Sequence, residues 1–258
     1  MNGNLATLAL STFMETVRDR IFYLVGIFGG IMLASTAILS PLTIGAQGKI
    51  MADVGLASMA LFGLLVVVFV GSSMVRKELD KGTIVTILAK PVGRREYLLG
   101  KFLGLNLTLV SMLAVMGLMF LVMIFLTPGT FSFRFVGAFY LTFLELTLIN
   151  AVVVFFSTCV SPVLAAMFTL GVFVVGHLSQ SIRDFGVLEG GRAQQMVSEV
   201  VYYLIPNLEV FNLRGAVVHG EAVPGGHLLM ATIYAVGWSA ILLLVAGSIF
   251  ARKELRGE

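Results

Sequence analysis

Glu145 stands in an apolar run with Asn150 five residues beyond it. A carboxyl about ten residues into a membrane-length helix lies near mid-bilayer, and Asn150 falls one and a half turns below. Ionisable groups at that depth are expensive and face a bundle interior or a cavity. Glu145 can therefore contact a cation, carry a proton or line a substrate path with Asn150. Equally, a protonated or hydrogen-bonded carboxyl there can tie two helices together.

Two other sets carry ligand chemistry. Met112, Met116, Met119 and Met123 fall on one helical face. Thioethers suit Cu(I), but methionine is also a flexible core filler, and packing is the reading adopted. His177, His219 and His227 map away from the main cationic cluster, and His219 with Glu221 could contribute to a metal site. Their spacing matches no strong ligand template, so they are read as surface or interface histidines and no metal is expected. The chain contains no phosphate loop, dinucleotide fingerprint or kinase signature, and no G-x-S-x-G or H-E-x-x-H. No catalytic residue is assigned and the chain is not expected to be an enzyme. If ATP drives it, the ATPase is another chain. An intramembrane enzyme would need paired groups at one depth, and the sequence offers Glu145 no evident partner.

The elements that must position these residues follow from composition. The 258 residues are 58% apolar and only 12% charged, with a mean hydropathy of +1.00; soluble domains carry about twice that share of charge. Runs of about 20 apolar residues cross a bilayer as helices, because lipid leaves the backbone no other hydrogen-bond partner. Six are expected, near 21–40, 54–75, 103–127, 135–159, 162–181 and 228–250. The expectation is an all-α integral membrane protein, with residues 1–258 forming one domain.

Between the second and third spans lies a charged island, Arg76 to Lys101, holding seven of the 17 Lys+Arg and three of the 14 Asp+Glu. With Arg18, Arg20, Arg252, Lys253 and Arg256 it places twelve cations on one side; Lys49, Arg134, Arg183, Arg192 and Arg214 fall on the other. By the positive-inside rule both termini and the island are cytoplasmic. The pI near 9.1 reflects this sidedness, and no nucleic-acid partner is expected. The first apolar run is too long for a cleavable signal peptide, and the single Cys159 excludes an internal disulfide.

Leu10, Phe13, Met14, Val17 and Ile21 recur at helical spacing opposite Glu15, Arg18 and Asp19, which suits an N-terminal helix lying in the membrane interface. Within the island, Thr83 to Ala89 reads as a short helix between Gly82 and Pro91. The long segment 182–227 carries an amphipathic helix over Ala193 to Leu204, stopped at Pro206, and then a short apolar stretch. Two short outer helices are expected there, re-entrant (dipping partway into the outer leaflet) or capping the bundle. Gly26 with Gly30, and Gly100 with Gly104, are spaced for close helix packing.

Glu78, Lys81, Gly82, Thr83, Leu88, Ala89, Lys90, Pro91, Val92, Arg94, Leu99, Gly100 and Lys101 together resemble the signature of ABC-2-type permeases. The run Tyr202, Tyr203, Leu204, Ile205, Pro206, Asn207 is similar to the outer segment of the branch containing the nitrous-oxide-reductase maturation permease. The resemblance implies a dimer, homo- or heteromeric, of six-span permeases on two cytoplasmic ATPase subunits, in the bacterial inner membrane. The permease would bind no cofactor; ATP and Mg would be held by the ATPase. It implies that Glu78, Lys81, Gly82, Thr83, Ile84, Ile87, Leu88, Pro91 and Arg94 seat or brace a coupling helix on the ATPase. Tyr202, Tyr203, Pro206 and Asn207 would form an outer gate. The outcome would be export, or mechanical work on a periplasmic partner. From the residues alone, a proton-coupled carrier built round Glu145 stays open, although no internal repeat of the kind carriers use is found.

Overall fold

The computed structural model describes residues 2–18, 22–39, 47–80, 93–126, 132–189, 192–219 and 225–252. Within them the chain is helical, with no strand. In chain order the helices are α1 (Asn2–Arg18), α2 (Phe22–Leu39), α3 (Gln47–Asp80), α4 (Arg94–Leu126), α5 (Arg134–Cys159), α6 (Pro162–Glu189), α7 (Arg192–Leu204), α8 (Arg214–His219) and α9 (His227–Arg252). A 3-10 turn at Glu209–Phe211 precedes α8.

Among the described residues, five helices are long and apolar enough to cross a membrane: stretches within α3, α4, α5, α6 and α9. The first expected span corresponds to α2, whose apolar stretch over Tyr23–Ser35 is shorter. Three elements overrun the expected spans, α4 among them because it starts at Arg94 instead of 103. α3 runs from Gln47 to Asp80 instead of 54–75, and α6 runs to Glu189 instead of 181. Apolar counting marks only the stretch that hydrocarbon demands, whereas the backbone ladder continues through polar helix formers such as Arg76 to Asp80.

α5 is the hub, packing against α3, α4, α6 and α9. Leu141, Leu146, Leu148, Ile149 and Val153 on it are fully buried. A tight corner joins it to α6: Val160 is extended, its N–H bonds to the Phe156 carbonyl, and Pro162 opens the next helix, where its missing N–H costs nothing. α5 and α6 therefore run antiparallel side by side. On the perimeter Leu229, Met230 and Ile233 of α9 and Met167, Phe168 and Val174 of α6 are exposed, an apolar surface that water would not tolerate at this extent.

The N-terminal helix docks by a face other than its large apolar stripe. Ala9, Thr12 and Thr16 are buried, while Leu10 and Met14 are exposed. Small residues win because α4 presents Gly100 and Gly104: a Cβ on Gly100 would lie 2.8 Å from Leu8 Cβ, and one on Gly104 would lie 2.8 Å from the Ala9 carbonyl. Gly26 and Gly30, with the same spacing on α2, differ: among the described residues no neighbouring element comes within 4 Å of a would-be Cβ on either. The methionine stripe packs as expected. Met112 and Met116 are buried, and Met119 and Met123 flank the same core.

Candidate functional site

The α5–α6 corner decides what faces Glu145. Glu145 precedes that corner by nearly as many residues as His177 follows it. Helical rise per residue is constant, so the two stand at the same height in the hairpin. His177 Nε2 lies 3.4 Å from Glu145 Oε1, and Nδ1 lies 3.1 Å from the Phe173 carbonyl one turn earlier. The Phe173 ring packs 4.5 Å from the imidazole centroid. The partner that the sequence did not offer Glu145 is thus a histidine from the next helix. The hairpin arithmetic was available in the sequence; the rotational angle of α6 was not.

Glu145 is buried, its side chain 7% exposed, and lies on the wall of a cavity of about 260 Å³. Leu56, Leu61 and Leu64 of α3, Phe173 of α6 and Phe211 of the 3-10 turn supply apolar walls, and Thr142 a hydroxyl. Arg214, at the start of α8, also lines it, and its Nε lies 3.3 Å from Asp53 Oδ1 of α3.

Asn150 is fully buried and not among the cavity's lining residues. Its Nδ2 donates across to the Phe102 carbonyl of α4 at 3.0 Å. One turn away, Thr147 donates to Asn106 Oδ1 at 3.0 Å, and Asn106 Nδ2 returns to the same Phe102 carbonyl. These residues form a polar seam between α4 and α5.

The segment that follows α7 is anchored at Asn207. Its backbone N–H donates to the Tyr234 hydroxyl of α9 at 2.7 Å, and its side-chain oxygen accepts from the Glu209 N–H at 2.9 Å. Next to it, Leu208 N–H bonds to the Gly176 carbonyl of α6 at 3.0 Å. A Cβ on Gly176 would meet the Pro206 carbonyl at 2.8 Å, so the bare glycine admits the segment. Tyr202 lies under the Arg183 guanidinium, 4.5 Å from ring centroid to Cζ, and Tyr203 is exposed beside it. His227 Nε2 lies 2.9 Å from the Val210 carbonyl, an interface contact.

Of the island residues, Lys81, Gly82, Thr83, Ile84, Ile87, Leu88 and Pro91 lie outside the described residues, as do the other members of the short helix expected there. Glu78 falls in the last turns of α3 and Arg94 begins α4. The entry to α4 is capped: Gly93 N–H donates to Glu96 Oε2 at 3.2 Å, the glutamate half of a capping box. Lys101 is buried, its Nζ 3.8 Å from Glu15 Oε2 of α1. Tyr97 stacks on Phe250 of α9 at 6.0 Å. The start of α4 is therefore held between α1 and the end of α9.

Apolar helices of this length round a central helix, a buried carboxylate–histidine pair and an exposed apolar perimeter define a multi-pass helical membrane protein. The model of the ABC-2 family transporter proteins matches residues 6–255, nearly the whole chain, and the protein belongs to that family. It is thus a permease component of an ABC transporter, of a kind that works with an ATP-binding subunit and dimerises. No curated protein matches the chain.

Proposed function

We propose that this permease couples ATP hydrolysis by two separate cytoplasmic ATPase subunits to export of a substrate or to mechanical work on a periplasmic partner. It acts as one half of a homo- or heterodimer of six-span chains, α2 being the first span, in the bacterial inner membrane with both termini cytoplasmic. Residues Lys81 to Pro91 form the contact with the ATPase, braced by Glu78 and Arg94.

The observation that carries this reading is the geometry on either side of that segment. α3 runs unbroken to Asp80 and α4 starts at Arg94, and both of these helices enter the core. Force applied to that segment reaches α5 through the Asn150–Phe102 and Thr147–Asn106 hydrogen bonds. Tyr202, Tyr203, Pro206 and Asn207 at the opposite end of the bundle are the outer gate. The resemblance of the run Tyr202 to Asn207 to the nitrous-oxide-reductase maturation branch supports work on a periplasmic partner.

Mild detergent extraction should recover a 1:1 ATPase partner, and Gly82→Pro or Arg94→Glu should abolish ATP-dependent activity while the permease still folds. Intact ATP-dependent transport in both variants would sink the lever assignment. A second reading, a proton-coupled carrier, draws on the His177 contact to Glu145; transport that persists without any ATPase would favour it.

A further inference from the structure

The contacts of His177 fix a proton count. A carbonyl oxygen only accepts, so the 3.1 Å contact to Phe173 makes Nδ1 the donor. A neutral imidazole has one N–H, and its Nε2 then bears a lone pair. That lone pair faces Glu145 Oε1 at 3.4 Å, and two acceptors in contact need a proton between them. The pair therefore holds one proton, as imidazolium with carboxylate or as imidazole with carboxylic acid, and its net charge is zero either way.

Its surroundings are short of positive charge. Asp53 on α3 already engages Arg214 on α8, and Glu209 in the 3-10 turn adds a second acid whose field, with that of Arg214, reaches Glu145. The Glu145–His177 pair is neutral, and Arg214, the fixed cation on the cavity wall, is already engaged by Asp53. The cavity beside them holds about 260 Å³, at the small end for an organic ligand. Its walls are aliphatic, with the Phe173 and Phe211 rings among them, and aromatic faces attract cations. An anion finds the Arg214 cation already engaged by Asp53, and no group of three or more His, Cys, Asp or Glu side chains that could hold a metal ion occurs among the described residues.

We propose that the Glu145–His177 pair is a recognition site for a small organic ammonium ion, a protonated primary amine with an apolar body, which takes the place of the shared proton. On binding, the ammonium donates to the Glu145 carboxylate, His177 stays neutral on the Phe173 carbonyl, and one proton leaves to solvent per amine bound. No covalent bond to carbon changes. The inference concerns this chain alone and does not rest on ATPase coupling.

The test is calorimetric titration of phenethylamine into the purified full-length permease in nanodiscs, without ATPase, in two buffers of different ionisation enthalpy. The expected result is saturable 1:1 binding with about one proton released, and a Kd that falls by up to about tenfold per pH unit between pH 6 and 8, as proton linkage requires. The amine itself stays charged there, as lysine does. The neutral isostere 2-phenylethanol should not bind, and Glu145→Gln should abolish binding. The proposal is overturned by no saturable binding at millimolar amine, by binding without proton release, by equal binding of the alcohol, or by unchanged affinity in Glu145→Gln. Equal competition by sodium would overturn the amine assignment. If Glu145→Gln does not fold, the two-buffer and isostere measurements on the unaltered protein still decide it. Failure of the ATPase to co-purify would leave these outcomes untouched.

Discussion

Lys101 Nζ sits 3.8 Å from Glu15 Oε2 and 5.8 Å above the Tyr97 ring centroid, with the lysine side chain 5% exposed and the glutamate 53%. The last cation of the island is thus not a surface charge. It is drawn into the junction where the N-terminal helix lies on α4, and it ties the segment that leaves the island to a helix that carries no span of its own.

That asymmetry of burial predicts an asymmetry of cost. Glu15→Gln removes a mostly solvated partner and should destabilise the extracted protein by under about 1 kcal/mol. Lys101→Glu buries a carboxylate beside Glu15 and should cost at least about 3 kcal/mol. Thermal unfolding in a mild detergent separates the two. Equal effects would mean the lysine is not buried at this junction.

Gly104→Val should loosen α1 from α4, because even a Cβ there lies 2.5 Å from Thr12 Cβ and 2.8 Å from a backbone oxygen that cannot yield. A cost of about 1–3 kcal/mol is expected, with faster alkylation of a reporter cysteine on α1. Gly30→Ala, with open space around it, should leave the stability of the single chain unchanged within about 0.5 kcal/mol.

Tyr234→Phe removes the acceptor of the Asn207 N–H. The orphaned donor should cost about 1–2 kcal/mol, read as roughly 5- to 30-fold faster amide exchange at Asn207, with little change in α3. Exchange that rises equally everywhere would show that Tyr234 serves global packing rather than the outer anchor.

Asn150→Leu should be mild, about 0.5–1.5 kcal/mol, the usual range for one interhelical bond in a membrane protein. The Phe102 carbonyl it serves keeps Asn106 as a second donor. Asn150→Asp should be worse, since it sets a carboxyl against that carbonyl. Denaturant midpoints compare the pair.

Much of the architecture was legible in the residue order. Apolar run length located the membrane-length helices, since a chain in lipid must satisfy its own backbone and so needs about 20 apolar residues. Pro206 and the amphipathic 193–204 run located a helix, observed as Arg192–Leu204. The docking face of α1 was less legible. The large apolar stripe was the stronger periodic signal, yet shape rather than hydrophobicity selects the contact when glycines on the partner open a groove for Ala9 and Thr12. The site divided in the same way. Glu145 was visible as a charge where none is cheap, while His177 read as an outer-side histidine.

What the order of residues determined by itself was class, family and the unavoidable costs: where membrane-length helices form and which carboxyl is expensive to bury. Those follow from transfer free energies, which each residue carries with it. Only the tertiary structure decided partners. Glu145 meets His177 because a tight corner sets α5 and α6 antiparallel at one height and α6 turns that face inward. Asn150 turns instead to the Phe102 carbonyl of α4. Relative rotation of packed helices is set by how all their side chains interlock at once, and no local stretch of sequence encodes it.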